Sequence, residues 1–237
     1  MKLVLLLLLV IFQLNLNGQN NPVIIELFTS QGCSSCPAAD KNLTEILQQA
    51  SKEGKPVFGL SFHVDYWNYI GWKDPYSSKA FTERQRNYAA AMKLQSIYTP
   101  QMIVNGKYEF VGSNNDKAEA AIKSALNSNP LYTIVINELT IVGDLLKLTY
   151  SIDSDPATEV LNVAVVEKAV ENYVARGENQ GKKLHHDNVV RAFTTIPLEK
   201  QGEIEIRIPA LTPGKSSLVL YIQNKQLQVL SAVAKNI

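Results

Sequence analysis

The 237 residues include only two cysteines, three histidines, three methionines and two tryptophans, and their charges nearly cancel. Each scarcity excludes something. Two cysteines cannot build the disulfide scaffold of a small secreted domain. No second cysteine pair or spaced histidine pair completes a four-ligand zinc set. With 23 basic against 22 acidic side chains the net charge is +1, so no global field attracts nucleic acid or an acidic polymer. There is no internal repeat and no low-complexity tract. A hydrophobic share of 46% with 19% charged residues is that of a globular chain with room for one or two cores.

The chain begins with Lys2 and an unbroken apolar run from Leu3 to Phe12. That run is far short of the roughly 20 residues needed to cross a bilayer. Followed by a polar exit through Asn15, Asn17 and Gly18, it reads as a secretory signal peptide over residues 1–18. The mature protein is therefore expected to be exported, periplasmic or extracellular and soluble, with no stable membrane insertion. In such an oxidising compartment a close cysteine pair persists as a disulfide.

Pro22 to Phe28 reads as a buried strand, and a helix is expected from about Cys33 to Lys52, with Ala39, Leu43, Ile46, Leu47 and Ala50 at helical spacing. Pro56 to Phe62 is a second strand, and Ser78 caps a helix over Lys79–Leu94. Gln101–Val104 and Tyr108–Val111 form a hairpin around Asn105-Gly106, a pair suited to a type I′ turn. Asn115 to Leu126 is an alanine-rich helix. The turn-rich Asn127–Pro130 segment is the expected boundary between a first domain over residues 20–128 and a second over 131–237. Beyond it the apolar period becomes two: Leu146, Leu148, Tyr150 and Ile152, then Ile204, Ile206 and Ile208. The expected fold class is an α/β domain, in the order β-α-β-α-β-β-α, followed by an all-β sandwich-like domain.

The two cysteines are Cys33 and Cys36, in Cys33-Ser34-Ser35-Cys36. At the first turn of a helix, unpaired N–H groups and the positive end of the dipole favour thiolate over thiol. Cys33 is expected to be the exposed attacking sulfur and Cys36 the resolving one. Pro37 is tolerated because first-turn N–H groups have no helical partner. The plain alternative is a static structural disulfide.

Strand Val23–Phe28, the cysteine pair opening a helix, and Thr99-Pro100 before strand Gln101–Val104 together resemble the thioredoxin fold. The resemblance implies that Pro100 is cis and faces the cysteines, where a partner's extended backbone can pair. The stretches Glu26–Pro37, Ser61–Trp67 and Phe81–Gln85 are similar to those of a secreted thioredoxin-like family of unknown function, DUF1223. That likeness implies fold and export but no substrate. The Ser-Ser dipeptide departs from the Gly-Pro of thioredoxin, so no redox potential carries over.

The expected activity is thiol–disulfide exchange with a protein thiol or disulfide partner, without a cofactor. Cys33, Cys36 and Pro100 are the candidate catalytic residues, joined by Glu26 as a buried proton shuttle. Thr99, Trp67, Trp72, His63 and Asp65 are candidates for substrate binding; for His63 and Asp65 a hydrogen-bonded structural pair is the alternative. The aromatic stretch Phe62–Tyr76 serves either as a groove or as packing against the second domain. Glu171 to Asn188 reads as a solvated hairpin loop, or as a lid over the first domain's site, and His185 and His186 should face opposite ways. Two rival functions remain: copper delivery through Cys33, Cys36 and His63, and a non-catalytic secreted interaction module.

Overall fold

The computed structural model describes residues 21–237; the expected signal peptide lies outside the described residues. Strand β1 (Val23–Thr29) is buried along its whole length. Helix α1 (Cys36–Lys52) begins three residues later than expected, with Cys33 in the preceding turn and Pro37 in the first turn. Strand β2 (Val57–His63) runs parallel to β1. Helix α2 (Lys79–Met92) opens on Ser78, whose side chain accepts from the Ala80 N–H. Strands β3 (Gln101–Val104) and β4 (Tyr108–Val111) form the expected hairpin, and Asn105 and Gly106 at its turn both have positive φ. Helix α3 (Asn115–Leu126) follows.

The second half is all strand: β5 (Ile134–Val142), β6 (Leu145–Ile152), β7 (Val160–Glu167), β8 (Val170–Tyr173), β9 (Lys183–His186), β10 (Val189–Pro197), β11 (Gln201–Arg207), β12 (Ser216–Gln223) and β13 (Val229–Asn236). The segment read as a hairpin loop does form a hairpin, but its strands β8 and β9 were not delimited in advance, because they are short and polar.

The expected fold class, an α/β thioredoxin-like domain followed by an all-β sandwich-like domain, is overturned. The described residues are 41% strand and 21% helix. Eight strands from both halves form one mixed sheet, in the order β13-β12-β7-β10-β2-β1-β3-β4. The halves meet where Val189 pairs with Ser61. Around it the Ser61 N–H donates to the Asn188 carbonyl at 2.9 Å, and the Asn188 amide donates to the Gly59 carbonyl at 3.0 Å. The physical reason lies in β7 and β12, which are buried almost end to end. Such strands need strand neighbours on both sides and cover on both faces.

One face of the sheet carries a core shared by both halves: Ile24, Phe28, Leu60 and Phe62 with Ala164, Val166, Val219 and Tyr221, under Phe81 and Tyr88 of α2. On the other face α1 and α3 cover Val23, Ile25 and Leu27. Farther along that face a three-stranded sheet, β11-β6-β5, covers Leu161, Val163, Val165, Leu218 and Leu220 with its period-two residues. Among the described residues, no helix is long and apolar enough to cross a membrane.

Candidate functional site

Cys33 and Cys36 are joined as a disulfide, with Cα atoms 5.4 Å apart. The Cys36 N–H donates to the Cys33 carbonyl at 3.2 Å, closing the turn that feeds α1. Cys33 was expected to be exposed. It is 1% exposed and Cys36 0%, while Ser34 and Ser35 between them face solvent.

The segment between β8 and β9 covers the pair. The Asn179 carboxamide, itself fully buried, donates to the Gln31 carbonyl at 3.0 Å and to the Cys33 carbonyl at 2.9 Å. The Ser34 N–H donates to Glu178 Oε2 at 2.9 Å. Hydrogen bonds from the Ser34 hydroxyl and N–H hold the Glu178 carboxyl below its ordinary range. Three hydrogen bonds thus fasten this segment to the cysteine turn, so it has the position of a lid rather than standing free as a solvated hairpin.

Thr99-Pro100 is cis, and Pro100 is buried. The Trp67 indole donates to Thr99 Oγ1 at 2.8 Å, and a Cβ added at Gly32 would lie 3.1 Å from the Trp67 Cβ. Trp67 thus links the prolyl loop to the cysteine turn. Trp72 donates to Gln31 Oε1 at 3.2 Å. From the same aromatic stretch, the Tyr76 hydroxyl donates to Asn172 of β8 at 2.9 Å. The stretch therefore binds both the turn and the second half of the chain.

His63 does not pair with Asp65. Its Nδ1 lies 2.7 Å from Asp74 Oδ2, an oxygen that also accepts from the Gln31 N–H at 2.8 Å. Burial works against the Asp74 charge, but His63 and the Gln31 and Tyr76 N–H groups hold its carboxyl below the usual range. Asp65 instead accepts from Thr82 Oγ1 at 2.6 Å, fastening the loop to α2. The His63 ring meets the His186 ring edge to face, with centroids 4.7 Å apart. His186 Nδ1 is 3.3 Å from Asp40 Oδ2, close enough for charge attraction although not aligned as a hydrogen bond. As expected from strand alternation, His185 points outward and His186 inward.

Glu26 stands apart from this group. β1 alternates, and Ile24 and Phe28 lie in the core under α2, so Glu26 lies on the face away from α1. There Arg84 donates to both its oxygens, at 2.5 and 2.7 Å, and Tyr88 donates at 2.6 Å. Burial opposes the Arg84 charge, yet the adjoining Glu26 carboxylate raises the guanidinium well above its ordinary range. A carboxylate so engaged is a structural anchor for α2 and β12.

Sequence reasoning missed Gln31, Asp40, Asp74, Glu178 and Asn179. Asp40 carried a signal, since it lies four residues after Cys36 on a helix and so on the same face; Asp74 and Asn179 are assembled only by tertiary contacts. Among the described residues, no group of three or more His, Cys, Asp or Glu side chains converges as a metal ion would require.

The family model described as "Protein of unknown function (DUF1223)" matches residues 24–223. No curated protein matches the chain. A crystal structure of a protein from Agrobacterium tumefaciens is similar at 27% identity and a TM-score of 0.63, over 91% of this chain and 93% of that one. A β-glucuronidase from Ruminococcus gnavus matches 46% of this chain and 16% of its own at 14% identity, and its TM-score of 0.25 carries no argument.

Proposed function

We propose that this chain, which belongs to the DUF1223 family, is an exported thiol–disulfide oxidoreductase acting on a protein dithiol or disulfide. The observation that carries this reading is the Cys33–Cys36 disulfide at the start of α1, held under a polar lid that reaches it from the other half of the chain. A static cross-link over three residues constrains little chain. The place where it stands, before the N-terminal N–H groups of a helix, suits a leaving thiolate.

In one direction a partner thiolate attacks Cys33. The Cys33–Cys36 bond breaks, a mixed disulfide forms and Cys36 leaves as thiolate. A second partner thiolate then attacks the mixed disulfide, the partner's own disulfide forms and Cys33 is released. Two electrons pass from the partner dithiol to the pair, and two protons follow. In the other direction Cys33 attacks a partner disulfide and Cys36 resolves the intermediate. Pro100, Thr99 and Trp67 form the wall at which the partner's backbone is held.

The test is exchange with a disulfide-containing protein, followed by thiol trapping. Cys33→Ser abolishes exchange and Cys36→Ser accumulates a mixed disulfide. Equal exchange rates in wild type and both variants would overturn the reading.

A further inference from the structure

We infer that Asp40, His186 and His63 form a buried proton-transfer site that serves Cys36; this rests on the exchange reading above. The three side chains come from α1, β9 and β2, and all point to the α1 side of the sheet. Asp40 is 3% exposed, His186 1% and His63 0%. Neither oxygen of Asp40, neither ring nitrogen of His186 and not Nε2 of His63 makes a hydrogen bond to another described residue. Thr29 Oγ1 and Gln31 Nε2 are buried without a partner in the same way. Thr29 stands opposite His63 in the β1–β2 register, and Gln31 begins the cysteine turn. Buried polar groups left unpaired are costly, and several of them gathered beside the cysteine turn call for an explanation.

The groups are ordered for proton movement. Asp74, ionised and bonded to Nδ1, fixes the His63 tautomer so that Nε2 presents its lone pair. His186 meets that ring edge to face and lies against Asp40. Asp40 is one helical turn beyond Cys36 on the same face. The titratable groups facing His186 are Asp40 from α1, His63 from β2, Asp74 from the loop after β2, and Asp187 beside it, while Tyr76 of that loop lies against His63. Burial disfavours the His186 imidazolium, but Asp40, with weaker help from Asp74 and Asp187, raises its pKa above the ordinary value. Glu26 is excluded from the role by its engagement with Arg84 on the opposite face.

Cys36 has no contact with solvent, so a proton must reach its sulfur from inside the protein. When the partner attacks Cys33 and the disulfide breaks, the Cys36 thiolate takes the proton held on His186, passed along Asp40. The partner's second thiol then gives up its proton to His186 as it becomes the attacking thiolate. In resolution the proton runs the other way, from the Cys36 thiol to His186.

The test is nuclear magnetic resonance titration of the histidine rings in the full chain, oxidised and then reduced with dithiothreitol. Reduction should move the His186 midpoint upward by about one pH unit, a roughly tenfold change in proton affinity. In Cys33→Ser protein, His186→Asn should slow alkylation of Cys36 at neutral pH about tenfold and remove the matching inflection from its pH profile. Exchange that proceeds with a His186 midpoint insensitive to reduction, and with the same Cys36 profile in His186→Asn, overturns this inference alone. A cysteine pair that fails to exchange at any pH overturns the reading beneath it, whatever the histidines do.

Discussion

The Asn179 carboxamide reaches across 146 positions of chain to donate to the Cys33 carbonyl at 2.9 Å. It is the firmest bond between the lid and the cysteine turn, because both partners are buried. Removing it takes the donor from the Gln31 carbonyl, leaves the Cys33 carbonyl with the Cys36 N–H alone, and raises the population of the open lid. Asn179→Ala should therefore speed reduction of the disulfide by dithiothreitol about tenfold, read by timed thiol trapping. An unchanged rate in a folded variant would show that the lid does not govern access.

Arg84 and Glu26 make a different kind of prediction. Each neutralises the other in a buried setting that also includes Tyr88, Tyr221 and Gln223. Breaking one partner of such a pair strands the other, at about 3–5 kcal/mol. Arg84→Met should lose that much unfolding free energy in urea, and adding Glu26→Leu should recover part of it. A loss under about 1 kcal/mol for Arg84→Met would contradict the account.

The acid–base behaviour of stability follows from His186 and Asp74. The raised His186 pKa contributes stability that is full below about pH 6.5, the unfolded value. That contribution is lost as pH rises through the folded midpoint. The lowered Asp74 pKa contributes stability that is full above about pH 3.9 and is lost as pH falls through its folded value. Urea midpoints should thus be highest in mildly acidic buffer and fall as pH rises through the folded His186 midpoint. His186→Asn should flatten the alkaline decline, whereas Asp74→Asn should flatten the acid one.

Gly106 has φ +65°, and a Cβ there would sit 1.9 Å from the Leu227 carbonyl oxygen. The backbone must therefore move, not only a side chain. Gly106→Ala should cost at least about 2 kcal/mol, measured by thermal or urea unfolding. A near-neutral result would mean that the β12–β13 turn yields more easily than its packing suggests.

Local chemistry made the elements legible. The Ser78 cap, the Asn105-Gly106 turn, the alternation through Leu146–Ile152 and the helical spacing from Ala39 to Ala50 all rest on neighbours in sequence, and all form as read. The cysteine turn was found the same way. Its burial was not, because the cover comes from Glu178 and Asn179. The joining of β2 to β10 was illegible too, since periodicity reports which face of a strand is buried but not which strand lies beside it. The continuous apolar stretches of β7 and β12 were the available sign that these strands sit inside a larger sheet. The opposite facing of His185 and His186 was legible from strand alternation, but the placing of His186 beside Asp40 and His63 was not, because it depends on β9 packing against α1.

The narrow seam at Val189 and Ser61 has a mechanical consequence. A protease cut in the turn after α3 would yield two pieces, each with a raw border of main-chain donors and acceptors, one along β2 and the other along β10. Those borders, with the hydrophobic surface that flanks them, are complementary to each other. Fragments made separately should on mixing reconstitute the intact sheet, and with it the cover over the cysteines.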